Sequence, residues 1–172
     1  IFRLPARDEG LTILRRIAEH APGSLIAEQA LLRIGDYYFQ RGQYADSAEA
    51  YDHYLELFPK SPRAPEAMVR AAEATYESFK GLPYDQTPLI EARQRFKMII
   101  DHYPAAAKKA RAAEILKEIT DRQAQRMLET ARFYARTSRP KAARFYYRRV
   151  IEQFPGSTWA ATAAAALDLS LI

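Results

Sequence analysis

The sequence contains no cysteine, which excludes disulfides, thiolate nucleophiles and cysteine-ligated metals. Glycine is scarce, with 6 in 172 residues, and no glycine-rich phosphate loop occurs. The three histidines are His20, His53 and His102, and none sits at metal-ligand spacing. No run of about 18 apolar residues is present, so no segment reads as a membrane span. The opening stretch IFRLPARDEG carries no signal-peptide pattern and no initiator methionine. The chain therefore reads as a piece trimmed at both ends, with any export signal or lipid anchor on the missing part. Ser and Thr find no His and Asp arrangement for nucleophilic catalysis. These absences predict a protein that is not an enzyme and takes no cofactor or metal.

What is present is helical. Ala, Arg, Glu, Leu and Tyr are plentiful, hydrophobic residues make up 48% and charged residues 27%. The net charge of +5 is unevenly spread. Between Lys108 and Arg149 stand thirteen basic residues and four acidic ones, a net +9 that leaves −4 for the rest. A basic half suits an acidic partner, anionic lipid headgroups or nucleic acid, or is simply a solvated helix face rich in arginine.

Four segments align on a proline: LRRIAEHAP (14–22), YDHYLELFP (51–59), FKMIIDHYP (96–104) and YYRRVIEQFP (146–155). Eight residues before the proline stands Leu14, Tyr51, Phe96 or Tyr147, and five before it Ile17, Tyr54, Ile99 or Val150. These offsets place large apolar side chains on one helical face. The proline ends each helix because its ring disfavours helical geometry in the residue before it. Ser24, Ser61 and Ser157 follow two residues later, where serine suits the N-cap of the next helix. Three residues before the prolines stand Glu19, Glu56, Asp101 and Glu152, carboxylates on separate helices that recur with the fold. His20 and His102 share a repeat position with Leu57 and Gln153, which marks it as a packing position.

The first complete unit, residues 28–59, carries Leu31, Ile34, Gly35, Tyr38, Gly42, Tyr44, Ser47, Tyr51 and Pro59. This resembles the tetratricopeptide pattern. Gly35 and Ser47 keep the helix contact close, Tyr38 and Tyr51 fill the space between helices, and Gly42 supplies the turn. Successive prolines are 37, 45 and 51 residues apart. The third unit therefore carries an insertion, GLPYDQTP, and the fourth a long helix, since no Gly or Pro occurs from Ala105 to Arg139.

The predicted fold is all-α, a tetratricopeptide-like right-handed superhelix. It has about eight helices: 8–20, 25–41, 44–58, 63–80, 88–102, 106–136, 140–153 and 157–169. The helix over 106–136 is unusually long, with a break conceivable at the polar stretch Gln123–Gln125. A single repeat domain spans 1–172, in units of about 8–22, 25–59, 62–104, 105–155 and 156–172. In the inserted loop, Asp85 and Thr87 are placed to cap the helix starting near Pro88, and the loop should project from the edge of the array.

The stretch YDQTP followed by EARQRFKMIIDHYP resembles the BamD (ComL) family of outer-membrane β-barrel assembly lipoproteins. Its members carry such a loop in the third repeat, and the matching residues are Asp85, Gln86, Thr87 and Pro88 with Ala92, Phe96, Tyr103 and Pro104. A second stretch, RMLETARFYARTSRPKAARFYYRRVIEQFPGS, is similar to the family's long helix, turn and aromatic-Pro ending. It matches at Met127 or Leu128, and at Glu129, Ala131, Phe133, Tyr134, Ala142, Ala143, Phe154 and Pro155. Here RTSRP stands where members usually have an Arg-Gly turn.

The resemblance implies a non-enzymatic scaffold on the periplasmic face of the outer membrane. It would bind the β-barrel assembly subunit and unfolded outer-membrane protein segments. Nucleic acid would not be a partner, and the membrane would be met only through a lipid anchor outside this sequence. In such repeats the A helices line the groove, here with Leu32, Asp36 and Phe39, then Val69, Glu73 and Tyr76. By its charge, the basic half around Arg132, Arg136 and Arg139 is the expected docking surface for the β-barrel subunit. The other reading is a tetratricopeptide adaptor of the envelope or cytoplasm unrelated to barrel assembly.

Overall fold

The structure, a computed structural model, describes residues 6–21, 23–81 and 84–169. All regular structure among these residues is helical: α1 (Ala6–His20), α2 (Leu25–Gln40), α3 (Tyr44–Leu57), α4 (Ala64–Glu77), α5 (Thr87–His102), α6 (Pro104–Lys109), α7 (Ala112–Arg136), α8 (Pro140–Gln153) and α9 (Thr158–Leu169). The chain divides into two units, Ile1–Ala112 and Ala113–Ile172. In the first, each helix from α1 to α6 packs on its neighbour in sequence, as tetratricopeptide hairpins do.

The proline repeat is written into the backbone. Phe58, Tyr103 and Phe154 each precede a proline, and each closes its helix at nearly the same dihedrals: φ −128, ψ 52, then φ −133, ψ 61, and φ −133, ψ 52. Each donates its N–H to the carbonyl four residues back, on Tyr54, Ile99 or Val150. Pro104 then opens α6, where its missing N–H costs nothing. The residues at the repeat offsets are core: Tyr51, Tyr54, Phe96, Ile99, Tyr147 and Val150 are all buried. A fully buried side chain of this size stabilises by about 1.5–3 kcal/mol over leaving it in water.

Within the first unit, Leu31 and Ile34 of α2 meet Tyr51 and Tyr54 of α3 and Ala67 and Ala71 of α4. Ser47 is buried and donates to the Gly35 carbonyl at 2.9 Å, which draws α3 onto α2. Gly42 takes φ +71 in the turn between them. Arg95 on α5 binds both oxygens of Asp52 on α3, at 2.6 and 2.5 Å, and this pairing raises the guanidinium's pKa further. In the second unit Ala124, Leu128 and Ala131 of α7 pack with Ala143, Tyr147 and Val150 of α8 and Ala163 of α9.

Three local expectations change. The long helix starts at Ala112, not at 106, because Arg111 turns to φ +54 and separates α6 from α7. The break falls between Ala107 and Ala112, both buried, with no Gly or Pro at it. At Gln123–Gln125 the helix is continuous, anchored by the fully buried Ala124. Of the three serines, only Ser24 caps a helix with its side chain, accepting from the Ala27 N–H at 3.1 Å. Ser61 accepts from the Arg63 N–H and donates to Glu28, three residues ahead of α4. At α9 the Thr158 N–H is met by Asp121 from α7 at 2.8 Å, and the Ser157 hydroxyl is buried with no partner among the described residues.

Candidate functional site

A groove of about 420 Å³ opens between α2 and α4 in the first unit. Gln29, Leu32, Arg33 and Asp36 line one side, Arg63, Glu66, Ala67 and Arg70 the other, and Tyr51 of α3 forms the back. Helical period explains the membership: residues three or four apart share a face, and Gln29, Leu32, Arg33 and Asp36 form one such row.

The charges in the groove are held in place. Tyr51 donates its phenol to Asp36 Oδ1 at 2.6 Å, and burial first, then this bond, pushes the phenol's pKa well above the usual tyrosine value. Arg70 donates to Glu73 Oε2 at 3.3 Å. Burial raises the Glu73 carboxyl above the ordinary glutamate value, against the pull of Arg70. The rim thus alternates cation and anion over a floor of Leu32, Ala67 and the Tyr51 ring.

Of the residues expected in the groove, Leu32 and Asp36 line it together, and Glu73 reaches it through Arg70. Val69 is buried and presents almost no surface. Phe39 is half-buried, edge-on to Tyr44 with ring centroids 5.2 Å apart, and Tyr76 is half-buried. Neither ring is among the lining residues. Arg33 and Arg70 stand three residues before Asp36 and Glu73, but nothing along the chain marks them or Arg63 as groove residues.

From Tyr84 to Thr87 the inserted loop is held by its own side chains. Asp85 accepts from both the N–H and the hydroxyl of Thr87, at 3.0 and 2.8 Å, and these bonds hold its carboxyl below the usual range. Asp85 thereby meets the first helical N–H of α5, although Gln86 occupies the N-cap position and Thr87 and Pro88 are already helical. Gln86 donates to the Tyr84 carbonyl at 2.9 Å, and the Tyr84 side chain is exposed. Leu82 and Pro83 lie outside the described residues. In the second unit Arg132, Arg136 and Arg139 are exposed, at the end of α7 and the start of α8.

A family model described as outer membrane lipoprotein, YfiO, matches residues 8–169. The chain belongs to the YfiO family of outer membrane lipoproteins. It is also 22% identical over 146 residues to a protein of Caulobacter vibrioides named outer membrane protein assembly factor BamD. That match covers 85% of this chain and 48% of the relative, so the chain spans about half the length of that relative. Family membership places the chain on the periplasmic side of the outer membrane. No helix among the described residues is long and apolar enough to cross a membrane.

Proposed function

We propose that this chain is a non-enzymatic scaffold of outer-membrane protein assembly, and that its α2–α4 groove holds an extended segment of an unfolded barrel protein. A barrel assembly subunit would be its other protein partner. The observation that carries the groove assignment is the placement of three arginines, Arg33, Arg63 and Arg70, around the apolar floor of Leu32 and Ala67. An extended peptide laid along such a floor gains area from its side chains, and a terminal carboxylate gains charge-assisted hydrogen bonds from the guanidinium groups. Leu32, Asp36 and Glu73 with Arg33 and Arg70 form the centre of the contact, and Phe39, Val69 and Tyr76 its margin and support.

The test is a titration of the chain with a C-terminal peptide from one of the organism's own outer-membrane barrels, beside an amidated copy. Saturable binding is expected, weakened several-fold by amidation, by Arg33→Ala and by Leu32→Ala. Equal affinity for both peptides and for all variants would remove the groove assignment. A pull-down with the periplasmic part of the β-barrel subunit tests the scaffold role separately.

A further inference from the structure

The turn joining α7 to α8 carries a surface that the groove reading leaves unused. Phe133 and Tyr134 end α7, and Phe145 and Tyr146 lie on α8. Their rings form one chain: Phe133 edge-on to Tyr134 at 5.5 Å, Tyr134 stacked on Tyr146 at 5.4 Å with an 11° tilt, and Phe145 edge-on to Tyr146 at 5.4 Å. The two tyrosines fill the seam between the helices. The two phenylalanines flank it as an apolar ridge, 51% and 54% exposed. Arg149 lies over the Phe145 ring at 5.6 Å. From Thr130 to Ile151 the sequence has seven basic residues and no acidic one. Arg132, Arg136 and Arg139 among them are exposed and make no ion pair among the described residues.

We propose that this aromatic ridge and its arginines form a contact surface for an anionic phospholipid bilayer. The stretch from Arg132 to Arg149 is strongly basic, with Glu129 and Glu152 only at its two ends. That excess of positive charge complements a sheet of phosphate headgroups. Exposed phenylalanines bordered by tyrosine and arginine are the side chains that settle at the boundary of headgroups and acyl chains. A cluster of four to eight basic residues is enough for attraction to anionic lipid. The charge distribution along the sequence assigns Arg132, Arg136 and Arg139 to a protein partner, and the family resemblance meets the membrane only through an anchor; the ridge adds a direct contact. The inference rests on the family's outer-membrane placement and not on the groove, so either can fail alone.

The experiment is co-sedimentation of the 172-residue chain with vesicles of phosphatidylcholine alone, and with vesicles that also contain phosphatidylglycerol. Binding is expected only to the second, falling as salt rises. The variant R132Q/R136Q/R139Q should lose on the order of a hundredfold in affinity. The variant F133S/F145S keeps every charge and should still lose several-fold, which simple charge attraction would not do. Circular dichroism confirms that both variants are folded. Equal binding to both vesicle types, or unchanged affinity in both variants, overturns the proposal. So does binding confined to the acidic surface of a protein domain, with none to vesicles.

Discussion

Replacing Gly35 with alanine sets two effects of opposite sign against each other. Helix α2 gains, because alanine is about 1 kcal/mol better than glycine in a helix interior. The new methyl, however, would lie 2.7 Å from Cε1 and Cζ of Tyr51 and 2.9 Å from Cε2, where carbons prefer about 3.5–4.0 Å. Any shift of the ring would be toward the groove it lines and would break its hydrogen bond. The ring is 1% exposed, and its hydroxyl is bonded to Asp36 at 2.6 Å. Overpacking of a closed core costs about 1–3 kcal/mol, and losing the phenol–carboxylate bond adds about 1.5–3 kcal/mol. Gly35→Ala should therefore lower stability by about 1.5–5 kcal/mol net of the propensity gain, the upper end applying if the phenol bond is lost, read from urea denaturation by ellipticity at 222 nm. In a Tyr51→Leu background the clash is gone, and the same change should raise stability by about 1 kcal/mol. A neutral or stabilising Gly35→Ala in the native background would refute the packing argument. Because Asp36 is held by Tyr51, the variant should also weaken peptide binding in the groove.

Ser138 stands at φ +57 in the α7–α8 turn, with the Arg139 N–H bonded to the Tyr134 carbonyl, just as Gln43 bonds Tyr38 after Gly42. A non-glycine residue pays about 1–2 kcal/mol there, so Ser138→Gly should raise the urea midpoint by about 1 kcal/mol of stability, and a lowered midpoint would count against it. Glu28 accepts from the Ser61 hydroxyl at 2.5 Å and the Tyr54 phenol at 2.9 Å, and these bonds lower its pKa. A lowered folded value means the stability is present above the ordinary glutamate value and lost as pH falls through the folded one. Urea midpoints measured across acidic pH should fall less steeply in Glu28→Gln than in the parent, and identical slopes would rule this out.

The sequence by itself determined the helices and their cores. An aromatic residue before proline stops a helix through local sterics, and Phe58, Tyr103 and Phe154 do so with one shared geometry. Apolar residues at fixed offsets from the proline needed only the 3.6-residue period to be placed inside. Tertiary structure decided the rest. The break at Arg111 falls among good helix formers, so no local signal marks it. Ser61 and Ser157 have cap-forming chemistry, but Glu28 claims the first and Asp121, from another helix, does the capping near the second.

In the groove, Leu32 and Asp36 were legible because they keep repeat register. Arg33, Arg63 and Arg70 were not, because a surface arginine looks like any other until a second helix stands opposite it. The stacking of Tyr134 on Tyr146 likewise waits on closure of the α7–α8 hairpin. Local sterics and periodicity act within a few residues and can be read along the chain. Which polar side chains face one another depends on distances between helices, and only the packed structure sets those.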